Sequence, residues 1–288
     1  MATIWELDFY SRPLLDEAEK KVWEVLICET PLNVGERAEE LFRYAQFCPN
    51  TEVNSIWLQN AIEAAIGQAG NSPNRIRFFR RPMANMIIRA CKDLSIPATP
   101  SRRTYALFLW LQERLETFYP TLPNYQPGTS PSVQLPPSQP QRMPDALQGD
   151  QWAFVSLEAS AFAEMPDWEI GFGEAFGLSM LNLSPESQIP GVIVFSSQRA
   201  TPLAAWMSGL ELAYLRIDQS SRPNLVLETG EGESWILASL KDEALQAEAK
   251  GFEATKRQAK NVHFLAVQSS PEAESFAGFW LLQELQLS

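Results

Sequence analysis

Between residues 75 and 114 the chain gathers nine basic side chains: Arg75, Arg77, Arg80, Arg81, Arg89, Lys92, Arg102, Arg103 and Arg114. Only Asp93 and Glu113 oppose them, so the stretch carries about +7 in a chain whose formal net charge is −12. Such a local reversal of sign is expected to add nothing to the fold and to offer an anion-binding surface. Guanidinium groups grip phosphate through paired N–H donors and stack on flat rings. The rings Phe78 and Phe79 sit among the first four arginines of the run. Cations for the backbone and rings for the bases are what recognition of single-stranded RNA uses.

Other chemistries find less material. His263 is the only histidine, and it opens an apolar strand beside Phe264 and Leu265. No nucleophile–histidine–carboxylate arrangement is built around it, and a histidine-rich metal site is excluded; the residue reads as structural. Cys28, Cys48 and Cys91 are odd in number and far apart, with no CxxC pair. They indicate neither a zinc site nor a disulfide scaffold, and free thiols suit a reducing compartment. No GxxxxGK[ST] or GxGxxG occurs. Gly230-Glu231-Gly232 and Gly171-Phe172-Gly173 read as turns. No cofactor and no small-molecule substrate are expected.

The elements that must position the basic run follow from periodicity. Ile4–Tyr10 and Lys21–Cys28 alternate and read as a hairpin. Helices are predicted over Gly35–Tyr44 and over Trp57–Ala69, the second closed by Gly70. Arg75–Arg80 reads as a strand with Ile76 and Phe78 on one side, which turns Phe79 outward as a stacking platform. Pro82 starts a helix whose inward face is Met83, Met86, Ile87, Ala90 and Leu94. Its opposite stripe is Asn85, Arg89 and Lys92, continuous with Arg80 and Arg81. Ser95–Thr99 is a short strand, and Thr104–Thr117 is a helix apolar nearly all round and therefore buried.

This order resembles ribonuclease H, whose nucleases hold two metal ions with several carboxylates. Asp8 and Glu63 sit where two of them would fall, but the strand that should supply a third ends in Arg80-Arg81. Guanidinium groups there oppose metal binding, so no nuclease activity is expected, and Asp8 and Glu63 read as exposed polar positions.

Pro120–Pro144 holds eight of the twenty-one prolines. Such a stretch cannot pack a core. It is read as a linker, 120–149, between an N-terminal α/β domain, 1–119, and an acidic C-terminal α/β domain, 150–288. The expected class is mixed α+β with mixed sheets in both domains. In the second domain, strands are predicted at Ala153–Ala159, Phe176–Leu181, Gly191–Ser196, Leu212–Ile217, Asn224–Glu228, Ser234–Leu240 and Val262–Gln268. Helices are predicted from Thr201-Pro202 to Gly209, over Asp242–Lys260 and over Ser275–Leu285. Arg75–Arg103 and Val192–Arg222 share a strand–helix–strand order, either a duplicated unit or the commonest α/β unit recurring. The closing helix docks on its own domain or offers Trp280 to a partner.

The N-terminus lacks a basic region followed by an apolar core, and no apolar run approaches ~20 residues. Cytoplasmic location without membrane insertion is the expectation.

Three strings carry a resemblance: Thr3-Ile4-Trp5-Glu6-Leu7-Asp8-Phe9-Tyr10-Ser11-Arg12-Pro13, Arg77-Phe78-Phe79-Arg80-Arg81, and Trp280-Leu281-Leu282. Together they resemble the Tab/Atab family, chloroplast translation factors for photosystem I mRNAs with counterparts in cyanobacteria. Without a transit peptide the chain looks like a cyanobacterial member. The resemblance implies binding to the untranslated leader of a photosystem mRNA and support of photosystem biogenesis, with translation or assembly proteins as further partners. It transfers no contact residues. From charge and periodicity alone, the RNA-binding set is Arg77, Phe79, Arg80, Arg81, Asn85, Arg89, Lys92, Arg102 and Arg103. The alternatives are an assembly factor that binds acidic protein, and a metal-dependent nuclease.

Overall fold

Period-two alternation along the first strand organises the N-terminal half. Strand β1 (Ile4–Leu15) points Trp5, Leu7 and Phe9 to one face and Glu6, Asp8 and Tyr10 to the other. Strand β2 (Lys21–Glu29) pairs antiparallel with it, and β3 (Arg43–Cys48) pairs antiparallel with β2. Helix α1 (Ser55–Ala69) follows. The Asn54 side chain caps it by accepting from Ile56 and Trp57 N–H, and Gly70 ends it at φ 74°. Strand β4 (Arg75–Phe78) runs parallel to β1, helix α2 (Ala84–Asp93) crosses over, and β5 (Ala98–Pro100) lies parallel to β4. The order is β3-β2-β1-β4-β5, the ribonuclease H order expected from the sequence. Leu58, Ala61, Ile62 and Ala65 of α1, with Ile87, Ala90 and Cys91 of α2, pack on the Trp5–Leu7–Phe9 face. Helix α3 (Tyr105–Glu113) is the buried helix predicted, continued by a π-helical segment (Arg114–Phe118) and a 3-10 turn (Tyr119–Thr121).

The computed structural model describes residues 3–127, 139–218, 223–230 and 232–285. Residues 3–30 and 38–127 form one compact unit, and 31–37 with 139–285 form a second. The middle of the predicted linker, Arg222 and Glu231 lie outside the described residues. Both flanks of the proline-rich stretch are structured. Leu15 and Gln126 N–H bond to Asn124 and Pro13 carbonyls in the first unit. In the second, Gln141–Arg142 (β6) joins a sheet.

The second unit contains β7 (Gln151–Glu158), β8 (Ile170–Glu174), β9 (Gln188–Phe195), α4 (Ala200–Ser208), β10 (Leu212–Asp218), β11 (Asn224–Thr229), β12 (Ser234–Ser239), α5 (Glu243–Gln258), β13 (Val262–Gln268) and β14 (Phe276–Gln283). They form a four-stranded sheet β10-β11-β12-β6 and a five-stranded sheet β7-β9-β13-β14-β8. Because β9 and β10 lie in different sheets, the strand–helix–strand unit of the first domain is not repeated here.

Four local expectations are corrected. The segment read as a helix over Gly35–Tyr44 is a 3-10 turn (Ala38–Glu40) leading into β3, because β2 offers a free edge to pair with. Phe176–Leu181 holds a 3-10 turn (Leu178–Leu181) instead of a strand. The closing segment is strand β14, since an uninterrupted apolar run buried on both sides suits a central strand. Gly171 and Gly173, read as a turn, belong to β8, where a Cβ on Gly173 would lie 2.2 Å from the Phe279 carbonyl oxygen of β14.

His263 is structural, as predicted. Strand β10 is an edge, and side chains satisfy its outer backbone groups. His263 Nε2 accepts from Leu215 N–H (2.8 Å), Lys256 Nζ donates to Leu215 O (2.9 Å), and Glu253 Oε1 accepts from Ile217 N–H (3.1 Å). The His263 proton therefore sits on Nδ1, directed at Asn261 O (2.9 Å). Burial, and then the Lys256 charge, push the imidazole pKa well below 6.5, against a weaker upward pull from the Asn261 bond. The unfolded chain takes up a proton near pH 6.5 that the folded chain refuses. This contribution to stability is complete above that pH and is lost below it at about 1.4 kcal/mol per pH unit. Urea unfolding at pH 7.5, 6.5 and 5.5 should show the decline, and His263→Gln should flatten it.

Candidate nucleic-acid interface

The second face of the first sheet carries charge, and it is buried. Glu6, Asp8 and Glu24 are each 0% exposed, because α3 and the turns after it cover them. Burying a carboxylate without a partner is prohibitive, so each needs a cation or a fixed donor. Arg12 Nη1 donates to Asp8 (2.8 Å) and its Nε to Glu24 (3.0 Å). Arg80 Nε donates to the other Asp8 oxygen at 2.6 Å. Arg114 and the Tyr119 hydroxyl both donate to Glu24. Glu6 accepts the Leu107 N–H in the first turn of α3 (2.7 Å), so a strand carboxylate caps the helix that covers it. Arg77 stands beside Glu6 in register. Burial works to raise the Asp8 pKa, but the charges and hydrogen bonds of Arg12 and Arg80 outweigh it and hold the carboxyl below its usual range.

This layer divides the predicted RNA-binding set. Arg77 and Arg103 are 1% and 2% exposed. Arg77 stands on the α3 face of β4, Arg103 precedes α3 and lies over the Tyr105 ring, and neither presents a surface to a ligand. Arg80 is held by Asp8, with its guanidinium 4.0 Å from the Tyr10 ring centroid and 4.9 Å from that of Phe79. Phe79, Arg81 and Arg102 are half-buried, while Asn85, Arg89 and Lys92 are exposed on the outer face of α2 as predicted. Helical spacing also places Ile88 on that face, and it is exposed; the apolar face count overlooked it.

Trp280 offers no partner surface. It lies in the core of the second unit, its indole across the bare Cα of Gly278, where a Cβ would meet the ring at 2.4 Å. The three cysteines are buried. Burial raises their thiols, Cys48 to about 11 and Cys91 to about 12, so none is poised as a thiolate.

The nuclease pair is not assembled. Asp8 is buried on the α3 face, contrary to the exposed position expected. Glu63 is exposed on α1, across the sheet, where Gln59 donates to it at 3.2 Å. Among the described residues no group of three or more histidine, cysteine or acidic side chains is arranged to hold a metal ion, and no helix is long and apolar enough to cross a membrane.

Family profiles account for both halves. Residues 4–114 match the N-terminal profile, and 130–283 the C-terminal profile, of RNA-binding protein Tab2/Atab2. The chain belongs to the Tab2/Atab2 family of RNA-binding proteins. It is 40% identical over 288 residues to the "Protein TAB2 homolog, chloroplastic" of Zea mays, covering 98% of this chain and 71% of that protein. Identity is 39% to the protein of the same name from Arabidopsis thaliana, of which 74% is covered. Among solved structures, a chain of the simian T-cell lymphotropic virus intasome in complex with PP2A regulatory subunit B56 gamma aligns with 54% of this chain and 62% of its own. The identity is 16% and the TM-score 0.30, a likeness that carries no argument. In this chain the geometry separates buried guanidinium groups that hold the fold from basic groups that are open to solvent.

Removing one partner from the buried layer leaves an uncompensated charge. Glu24→Gln should lower unfolding free energy by about 3–5 kcal/mol in denaturant titration. Glu63→Gln, on the exposed face of α1, should change it by less than about 0.5 kcal/mol.

Proposed function

We propose that this protein binds single-stranded RNA without cleaving it, through the outer face of α2. In the cell it serves as a translation or biogenesis factor for photosystem mRNAs. The observation that carries the binding reading is the stripe Asn85, Arg89 and Lys92, exposed on one helix face in a protein that is acidic elsewhere. Residues 139–285 hold twenty acidic against nine basic residues, so nearly all the net negative charge lies in the second half. That half repels a polyanion, which favours binding confined to the α2 face. Membership of an RNA-binding family supports RNA as the anion. Two relatives named as chloroplastic TAB2 homologs, together with the resemblance noted from the sequence, support the photosystem role.

The stripe spans about 10 Å of helix and can therefore engage only a few phosphates. In full-length protein, Arg89→Ala/Lys92→Ala should weaken binding to a labelled oligouridine. It should also reduce the slope of log K against log salt by about 1.4, two cations at about 0.7 each. An unchanged slope sinks this assignment. Ile88, 40% exposed among these polar residues, favours the second reading, an acidic protein docked on the same face. Capture of a protein partner that survives ribonuclease treatment, with oligouridine unable to compete, would establish it.

A further inference from the structure

A crevice opens where β1 and β4 part. The two strands pair only from Ile4↔Arg75 to Glu6↔Arg77; β4 ends at Phe78, while β1 continues to Leu15. Crevices outside the carboxyl ends of parallel strands are the usual ligand sites of α/β sheets. This one is lined by Ser11, Pro13, Phe79, Arg80, Phe108 and Gln112 among others.

Its chemistry centres on Arg80. Free arginines hold phosphate as mobile forks, but Arg80 is not mobile. Its Nε is bonded to Asp8 at 2.6 Å, Asp8 is held from its other oxygen by Arg12 at 2.8 Å, and the Arg80 side chain is 9% exposed. The guanidinium lies within cation–π reach of two rings, Tyr10 at 4.0 Å and Phe79 at 4.9 Å. A buried carboxylate therefore fixes a guanidinium that lies over two rings, a stacked group of which half-buried Phe79 is one member. A platform already fixed loses little rotamer entropy when a ligand lies on it. The enclosed space of the crevice is about 30 Å³, room for one or two waters. A base cannot be swallowed there; it can only lie on the outside of the stack.

We infer that Tyr10, Arg80 and Phe79 form a stacking platform for an unpaired RNA base, with Phe79 as the contacting ring and Arg80 as a positioning residue that takes no phosphate. This inference rests on the RNA-binding reading above and deepens it. The ligand class is an unpaired nucleobase of any sequence, since stacking is tolerant of base identity.

The test uses the full chain with two probes, a labelled oligouridine and an abasic ribose-phosphate oligomer of the same length. Phe79→Ala should weaken oligouridine binding by about 5- to 150-fold, the range of one lost base stack. It should leave the salt slope and the abasic affinity unchanged, and Phe79→Trp should retain binding. Arg80→Lys keeps a cation beside Asp8 but loses the planar group; it should reproduce the base-dependent loss with normal abasic affinity. Wild-type oligouridine affinity in Phe79→Ala overturns the platform, while a weakened Arg89→Ala/Lys92→Ala leaves the cationic reading standing. Equal losses on both probes also overturn the platform, because they make Phe79 structural. If the α2 variant binds both probes as wild type does, the RNA reading of this face fails as well.

Discussion

Three carboxylates beneath a helix set the terms for the N-terminal unit. Glu6, Asp8 and Glu24 are removed from water by α3, and an ionised carboxylate in that position is untenable without compensation. Arg12, Arg80, Arg114, Tyr119 and the first turn of α3 supply it. These partners come from β1, from the residues after β4, and from the segment after α3. The layer thus ties together strands and helix that are distant in the chain. It also decides which basic residues are spoken for. The excess positive charge of residues 75–114 is partly internal, matched to acids on β1 and β2, and only the remainder is open to solvent.

The second unit solves a related problem without a charged layer. The edge strand β10 would leave backbone groups unpaired; His263, Lys256 and Glu253 close it with side-chain bonds. Lys256 is in turn held by Glu253 and Glu284 at 3.1 and 2.8 Å. In both units the buried histidine, lysine, arginines and carboxylates named above are engaged in holding the fold. Their types alone, a histidine here and paired carboxylates there, would otherwise suggest catalysis.

What could be read from sequence was local. The 3.6-residue period of α2 placed Met83, Ile87 and Ala90 inward and Asn85, Arg89 and Lys92 outward, because both faces are set by one helix. The Gly70 cap of α1 was equally readable, since it acts on its own turn, whereas the Asn54 cap went unread and the helix begins two residues before the expected Trp57. The fate of Arg77, Arg80 and Asp8 was not. A strand alternates whether its second face meets water or a helix, and only the docking of α3 settles which. β14 failed for a different reason. Phe276–Leu282 has no period to read, and a run without a polar side chain fits helix and strand alike. The discriminating signal was its glycine: Gly278 lies under an indole, as Gly191 of β9 lies under the Phe264 ring. Bare backbone beneath large rings is a mark of packed sheets.

The Asp8–Arg80 bond also limits how this fold can change. A metal-holding version of the same sheet needs carboxylates clustered without guanidinium groups among them. From the present chain, each single replacement on that route strands a charge in the interior at a cost of about 3–5 kcal/mol, a large part of the stability of an ordinary domain. Gains in metal affinity would come only after several such steps. The ion layer is therefore a ratchet: a substitution on the exposed stripe of α2 strands no charge in the interior, while the buried face stays committed to guanidinium.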